Sequence, residues 1–411
     1  MDELGFVGRG KSKHRPRNDP SLYDGPYPFI QTADIMAADP YITTYSQTYS
    51  EIGLRQSKMW PPNTLCMTIA GANTAKVAIL KIQACFPDSV IGFIPDKSKA
   101  DLHFVMYSLG LMKDQFLAVS RGATQDNLGL NKLLSFPLLV PDVREQQRIA
   151  GILSTYDELI ENNKRRIALL EKMAEEIYRE WFVRMRFPGH EKTKFVKGVP
   201  EGWRIAELQE IISFTMGQSP KSEFYNEVGK GLPFNQGVGT YGERFPRRVT
   251  YCDAKGRKAR KGDILFSVRA PVGRINIADS EMIIGRGLAA LRHRHGQNSY
   301  LFYSLKTTFS SEDIIGNGSI FNSVGKDELA RCKVYQPPQD LVMKFDELAS
   351  GMDEQVSLLA KCLENLTATR NALLPRLISG KLSVEDLDIQ YPPSMREEAE
   401  MEALKRKPVE A

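Results

Sequence analysis

Residues 5–12, GFVGRGKS, match the phosphate-loop pattern G-x-x-x-x-G-K-[ST] letter for letter. Such a loop works when a buried strand delivers it and a helix leaves it, so that backbone N–H groups and the helix N-terminus converge on phosphate. Only Met1–Leu4 precede Gly5, too few for a buried strand, and Pro16 and Pro20 oppose an immediate long helix. No apolar run ending in a lone aspartate follows as a magnesium partner. The overlapping F-x-G-x-G, a methyl-donor fingerprint, fails on the same context. What remains is charge: Arg9, Lys11, Lys13, Arg15 and Arg17 alternate with small or polar residues and Pro16, without an acid among them.

A second basic stretch, ERFPRRVTYCDAKGRKARKGD, carries Arg244, Arg247, Arg248, Lys255, Arg257, Lys258, Arg260 and Lys261, with Phe245 and Tyr251 between them. Arg269 follows, closing the strand-like GDILFSVR. A single charge run reads most simply as a solvated face. Two such runs punctuated by aromatics, in a chain whose net charge is only +5, point to a polyanion, and nucleic acid fits best.

Chemistry of the chain's own finds little support. There is no NPP[YF] or DPP[YF] for methylating an exocyclic amine, and no P-D followed at the usual distance by [DE]-x-K for metal-dependent DNA cleavage. His293 and His295 in LRHRHG lack a second ligand cluster, which makes them a solvent-exposed or phosphate-facing pair rather than a metal site. Ser, Cys and His form no hydrolase signature. The five cysteines are scattered and never in a C-x-x-C pair, so neither structural zinc nor a disulfide framework is expected. With no signal-peptide pattern and no apolar run of membrane-spanning length, a reducing cytoplasm is the expected location.

At 411 residues the chain should hold two or three domains, and the sequence repeats itself. YSLG at Tyr107–Gly110 returns as YSLK at Tyr303–Lys306, 196 residues later. At the same offset Gly122 meets Gly318, Asp126 meets Asn322, Gly129 meets Gly325, Leu133 meets Leu329 and Pro141 meets Pro337. With small gaps, YPFIQ (Tyr27–Gln31) matches LPFNQ (Leu232–Gln236), and NTLCMTIA (Asn63–Ala70) matches GDILFSVR (Gly262–Arg269).

After Pro141 and Pro337 the pattern changes to a long helix. Ile149, Leu153, Tyr156, Ile160, Asn163, Ile167, Leu170, Ala174, Ile177 and Trp181 follow a 4-3-4-3 spacing, the 3.5-residue period of a coiled coil. Their partners 196 residues on include Phe345, Ala349, Met352, Val356, Leu359, Leu363, Leu366, Leu373 and Leu377, with Arg370 the polar member and Pro375 signalling a break near the end. The fold class expected is α+β: two mixed α/β heads separated by two long helices. Symmetry predicts that these helices pair as an antiparallel coiled coil, related by a pseudo-twofold internal repeat.

The order head–helix–head–helix resembles the specificity subunits of type I restriction–modification systems. The resemblance rests on Leu130–Leu153 feeding a helix that ends near EIYREWF, on VPEGW (Val199–Trp203) and on LLPRLISGKL (Leu373–Leu382). It covers nearly the whole chain and implies two target-recognition domains, 1–140 and 188–340. Spacer helices would occupy 141–187 and 341–380, and a C-terminal tail 381–411. It also implies a non-catalytic subunit that binds double-stranded DNA with a bipartite target. The helices would dock two modification subunits, and restriction subunits would join them. S-adenosylmethionine, ATP and Mg2+ would be used by those partners and none by this chain. A coiled-coil scaffold, or a DNA-binding protein outside restriction–modification, is the alternative.

Two consequences follow from the repeat. The first head lacks the P-x-G-W of the second, so either its start lies upstream or it manages without its first strand. GFVGRGKSKHRP becomes the counterpart of ISFTMGQSPKSE, the polar turn after that strand in the second head. Lys11, Lys13, Arg15 and Arg17, with Arg9, would touch one half-site. Arg247, Arg248, Arg257 and Arg260 would touch the other, with Arg244, Lys258 and Arg269. The charged residues Glu158, Lys164, Arg165, Glu171, Lys172 and Glu175 beside the seam would meet partner helices.

Overall fold

In the computed structural model of the chain every residue is described except Arg15, 72–73, 121–127, 310–323 and 397–411. The Gly122/Gly318 and Asp126/Asn322 matches therefore lie outside the described residues. The chain divides into two units, Met1–Asn162 with Leu363–Ala411, and Asn163–Cys362. Each unit thus holds one head and a segment of each long helix, Val143–Tyr178 and Gln339–Ile378.

In the first unit a five-stranded sheet runs Gly5–Arg9, Val90–Pro95, Thr64–Thr68, Val77–Leu80, Tyr41–Ile42, antiparallel except for the last pair. A four-stranded sheet runs Gln47–Tyr49, Tyr23–Phe29, Ala84–Cys85, Met59–Trp60, with its middle pair parallel. Thr64–Thr68 is buried at every position because it has core on both faces. Successive side chains of a strand point to opposite faces. Leu65 and Met67 accordingly join one apolar cluster, and Cys66 joins another with Ala78 and Leu80. The Leu65 face is covered by helix Leu102–Leu111 and by Ile149, Ala150 and Leu153 of the first long helix. Leu377 and Ile378 of the second complete it.

The second unit uses the same plan. Ile212–Met216, Leu288–His293, Ile264–Ser267 and Ile275–Ile277 form an antiparallel sheet. A second sheet runs Tyr225–Asn226, Tyr251–Cys252, Leu232–Asn235, Met282–Ile284, Lys258–Ala259 and has one parallel pair, Leu232–Asn235 with Met282–Ile284. YPFIQ and LPFNQ thus both end a strand with a parallel neighbour. Ile264 and Phe266 face the cluster that also holds Ala174, Tyr178 and Phe182 with Leu341, Phe345 and Ala349, whereas Leu265 faces the other side. Gly129 and Gly325 both precede a short helix, and Leu133 and Leu329 are both buried.

The seam residues Ile149, Leu153, Tyr156, Ile160, Ile167, Leu170 and Ile177 are buried or half-buried. So are Phe345, Met352, Val356, Leu359, Leu363, Leu366 and Leu373. Two details differ from expectation. Pro375 does not break the second helix, which runs on to Ile378. GFVGR is not a turn but a strand, paired with Val90–Pro95 as ISFTM is paired with Leu288–His293. The turn begins only at Gly10 and Gly217. In the second unit Arg204–Glu207 pairs with Lys333–Gln336. The matching residues 137–140 of the first unit form no strand, and Leu139 is exposed.

Gly217 exists for space rather than for backbone freedom. A Cβ there would lie 2.1 Å from the Gly285 carbonyl oxygen and 2.8 Å from that of Leu288, both backbone atoms. Gly217→Ala should therefore cost at least about 1–3 kcal/mol, as overpacking does. Gly237→Ala, where nothing lies within 4 Å, should be near neutral. Thermal unfolding checks this, and equal melting temperatures for the two variants would contradict it.

Candidate nucleic-acid interface

Gly10 passes under the turn at Phe86 and Pro87 so closely that a Cβ would lie 2.3 Å from either carbonyl oxygen. The segment that follows is pinned along its backbone. The Lys11 N–H donates to the Phe86 carbonyl (3.2 Å), and the Ser57 hydroxyl donates to the Lys11 carbonyl (2.8 Å). The Lys13 and His14 N–H groups both donate to Gln56 Oε1. Fixing the backbone on one side leaves Lys11 and Lys13 exposed on the other.

Sequence proximity misjudged the charge balance here. Asp88, distant in sequence, holds two of the five basic residues. Arg9 donates twice to its carbonyl oxygen (3.0 and 2.7 Å), and Arg17 donates to both carboxylate oxygens (3.0 and 3.1 Å). Arg15 lies outside the described residues. Lys58 joins the patch unannounced, its ammonium 4.0 Å from the Trp60 ring centroid and 4.3 Å from that of Phe6. Burial, and then the charge of Lys11, hold its pKa below the ordinary lysine value. A Lys–aromatic pair separated by 52 residues leaves no local signature.

In the second unit the basic residues divide into two kinds. Arg257, Arg260 and Arg269 are exposed, with no side-chain hydrogen-bond or ion-pair partner among the described residues. Arg247 is exposed and donates to the Gly239 carbonyl (3.3 Å), Arg248 pairs with Asp279 at 2.5 Å and Lys258 with Glu281 at 3.4 Å. Exposed pairs of this kind contribute about 0–1 kcal/mol and exchange readily for a phosphate.

Arg244 belongs to the other kind and is removed from the interface set. It is 5% exposed, its guanidinium pairs with Glu171 (3.1 Å) and Asp353, and it lies 4.5 Å from the Phe302 ring. Burial works against its charge, yet Asp353, Tyr303 and Glu171 outweigh burial and hold its pKa above the ordinary arginine value. Asp353 also accepts from the Tyr303 and Ser299 hydroxyls. The first unit has the same clasp 196 residues earlier. Tyr107 donates to Asp157 (2.6 Å), and the arginine beside that carboxylate is Arg370, the polar seam residue.

Other assignments change as well. Glu171 is taken by Arg244, Glu175 by Lys306 (2.8 Å) and Arg179, and Glu158 accepts from the Ser394 N–H. These acids are engaged inside their own units rather than free for a partner helix. His293 is not solvent-exposed: it is 4% exposed, and burial lowers its pKa to about 4. Among the described residues no group of three His, Cys, Asp or Glu is placed to hold a metal ion. No described helix is long and apolar enough to cross a membrane.

The two kinds of arginine should separate in stability measurements. Arg244→Met leaves Asp353 and Glu171 without their buried counter-charge and should cost about 3 kcal/mol or more. Arg248→Met should stay within about 1 kcal/mol of the parent. Denaturant unfolding of the two variants checks the assignment, and comparable stabilities would refute it.

Known proteins carry the same plan. The family described as type I restriction modification DNA specificity domain matches residues 3–172 and 200–341. The provisionally assigned MjaX specificity subunit of Methanocaldococcus jannaschii is 29% identical over 299 residues, 71% of this chain and 70% of the relative. The type I restriction enzyme MjaIX specificity subunit of the same organism is 25% identical over 409 residues, 94% of this chain and 93% of the relative. The crystal structure of a type I restriction–modification S subunit from M. genitalium superposes with a TM-score of 0.64 at 20% identity, covering 92% of this chain and 94% of that one. With two matched segments spanning both heads, the chain belongs to the type I restriction–modification DNA specificity family.

Proposed function

We propose that this chain is the DNA-reading subunit of a type I restriction–modification complex, each head reading one part of a two-part target. The observation that carries the reading is the recurrence of one strand order in both units, each presenting exposed cations from tightly held loops. Lys11 and Lys13 serve the first head; Arg247, Arg257 and Arg260 serve the second, with Arg248, Lys258 and Arg269 beside them. Arg9 and Arg17 reach phosphate by leaving Asp88. Cations on a fixed backbone set register through phosphate contacts, and base contacts supply specificity.

The long helices set the interval between the half-sites. We take them as an antiparallel coiled coil with pseudo-twofold symmetry, and the domain limits as 1–140, 141–187, 188–340, 341–380 and 381–411. Support for the antiparallel sense comes from within each unit. Asp157, in the first half of the first helix, pairs with Arg370, late in the second; Tyr178, at the end of the first, meets Phe345, early in the second, edge to face. Exposed Leu159, Leu169 and Met173 on one helix, and Leu348 and Leu358 on the other, suit docking of two modification subunits, which restriction subunits then join. Those partners would use S-adenosylmethionine, ATP and Mg2+; this chain recognises, and binds no cofactor itself.

The cations can be tested by salt titration. In complex with the modification subunit, Lys11→Ala with Lys13→Ala, or Arg257→Ala with Arg260→Ala, should weaken binding to every duplex. Each lost phosphate contact should flatten the plot of log K against log salt by about one. Affinity unchanged across the salt range would refute the contact assignment. A wild-type complex with no sequence preference would leave only a scaffold.

A further inference from the structure

Three strands of the second head end at one point: Ile212–Met216, Leu232–Asn235 and Met282–Ile284. The turns that follow cross almost in contact. Gly217 donates to the Leu288 carbonyl (2.8 Å), Gln218 to that of Ile284 (3.0 Å), Gly285 to that of Asn235 (2.8 Å) and Gly287 to that of Gln236 (3.1 Å). The Arg286 N–H donates to the Ser219 hydroxyl (3.2 Å). A Cβ would lie 2.8 Å from the Gln236 Cα if placed on Gly285, and 2.5 Å from the Gln236 oxygen if placed on Gly287. None of Gly217, Gly285 and Gly287 has a positive φ, so closeness is what requires glycine at all three.

This crossing displays Gln218, Gln236 and Arg286. All three are exposed, and none has a side-chain hydrogen-bond or ion-pair partner among the described residues. Two neutral carboxamides do nothing for long-range attraction to phosphate. Each does offer one donor and one acceptor side by side, the pattern that matches adenine N7 and N6; the guanidinium fork matches guanine O6 and N7. Crossed turns held by backbone hydrogen bonds fix the backbone that carries such groups before binding, which lowers the entropic cost of using them. The exposed Arg257 stands alongside, since its carbonyl accepts from the Ile284 N–H (2.9 Å).

The first head has the same crossing with different tips. Gly10 replaces Gly217, and Pro87 and Ser89 replace Gly285 and Gly287; hydrogen bonds put Lys11 and Asp88 where Gln218 and Arg286 stand, and the parallel strand register puts Gln31 where Gln236 stands. There Gln31 is bonded to Gln47, and Asp88 is held by Arg9 and Arg17. One frame with two sets of tips is what two different half-sites demand.

We propose that Gln218, Gln236 and Arg286 read base edges and determine the half-site of the second head. The proposal rests on the reading that the heads bind DNA. The test places Gln218→Ala, Gln236→Ala and Arg286→Ala singly in the complex with the modification subunit and scores binding on duplexes randomised across the target. Each variant should lose about tenfold or more discrimination at one or two positions of one half-site. The other half-site should stay unchanged, and the glutamine variants should keep the parent salt dependence. If all three variants select the parent sequence, or lose affinity for all sequences alike, the proposal falls while DNA recognition stands. If the parent itself selects nothing, both fall.

Discussion

Neither head can close its apolar core alone. Ile149 and Leu153 meet Leu377 and Ile378 in the first unit, and Tyr178 and Phe182 meet Phe345 in the second. The chain must therefore bring together helix segments about two hundred residues apart before either core is complete. Closing so long a loop costs only a logarithmic entropy penalty, but it makes each head depend on both helices. The Tyr107–Asp157 and Tyr303–Asp353 clasps lie at this join. Each carboxylate is mostly buried and paired with an arginine, so losing one partner is far costlier than losing a surface pair.

The clasp also gives Arg244 a role apart from DNA. It lies in the same loop as Arg247 and Arg248, and its guanidinium ties that loop to Glu171 and Asp353 on both helix segments of the unit. In the first unit the corresponding arginine, Arg370, comes from a helix. The two units thus pair the corresponding aspartates with arginines from different parts of the chain.

Periodic and local features were legible in the sequence. The 3.5-residue seam, the 196-residue offset and the pairing of YPFIQ with LPFNQ needed only residue types and spacing, and each corresponds to a helix or strand in the structure. Long-range partners were hidden. Nothing near Arg9 or Arg17 announces Asp88, and nothing in ERFPRR distinguishes buried Arg244 from exposed Arg247. The glycine crossing was half visible. The sequence aligned GRGKS with TMGQS, but Gln236 and Arg286 reach Gln218 only through the parallel strand pair, which no short-range pattern encodes.

The central claim is that the helices measure the interval between two half-sites. Inserting four helical residues after Asn163 and four after Leu359 lengthens each helix by about 6 Å. Mapping methylated sites in cells carrying this variant with its modification subunit reads the result directly. The account predicts unchanged half-site sequences separated by one or two additional base pairs, given a rise of about 3.4 Å each. Methylation at the original spacing would contradict it.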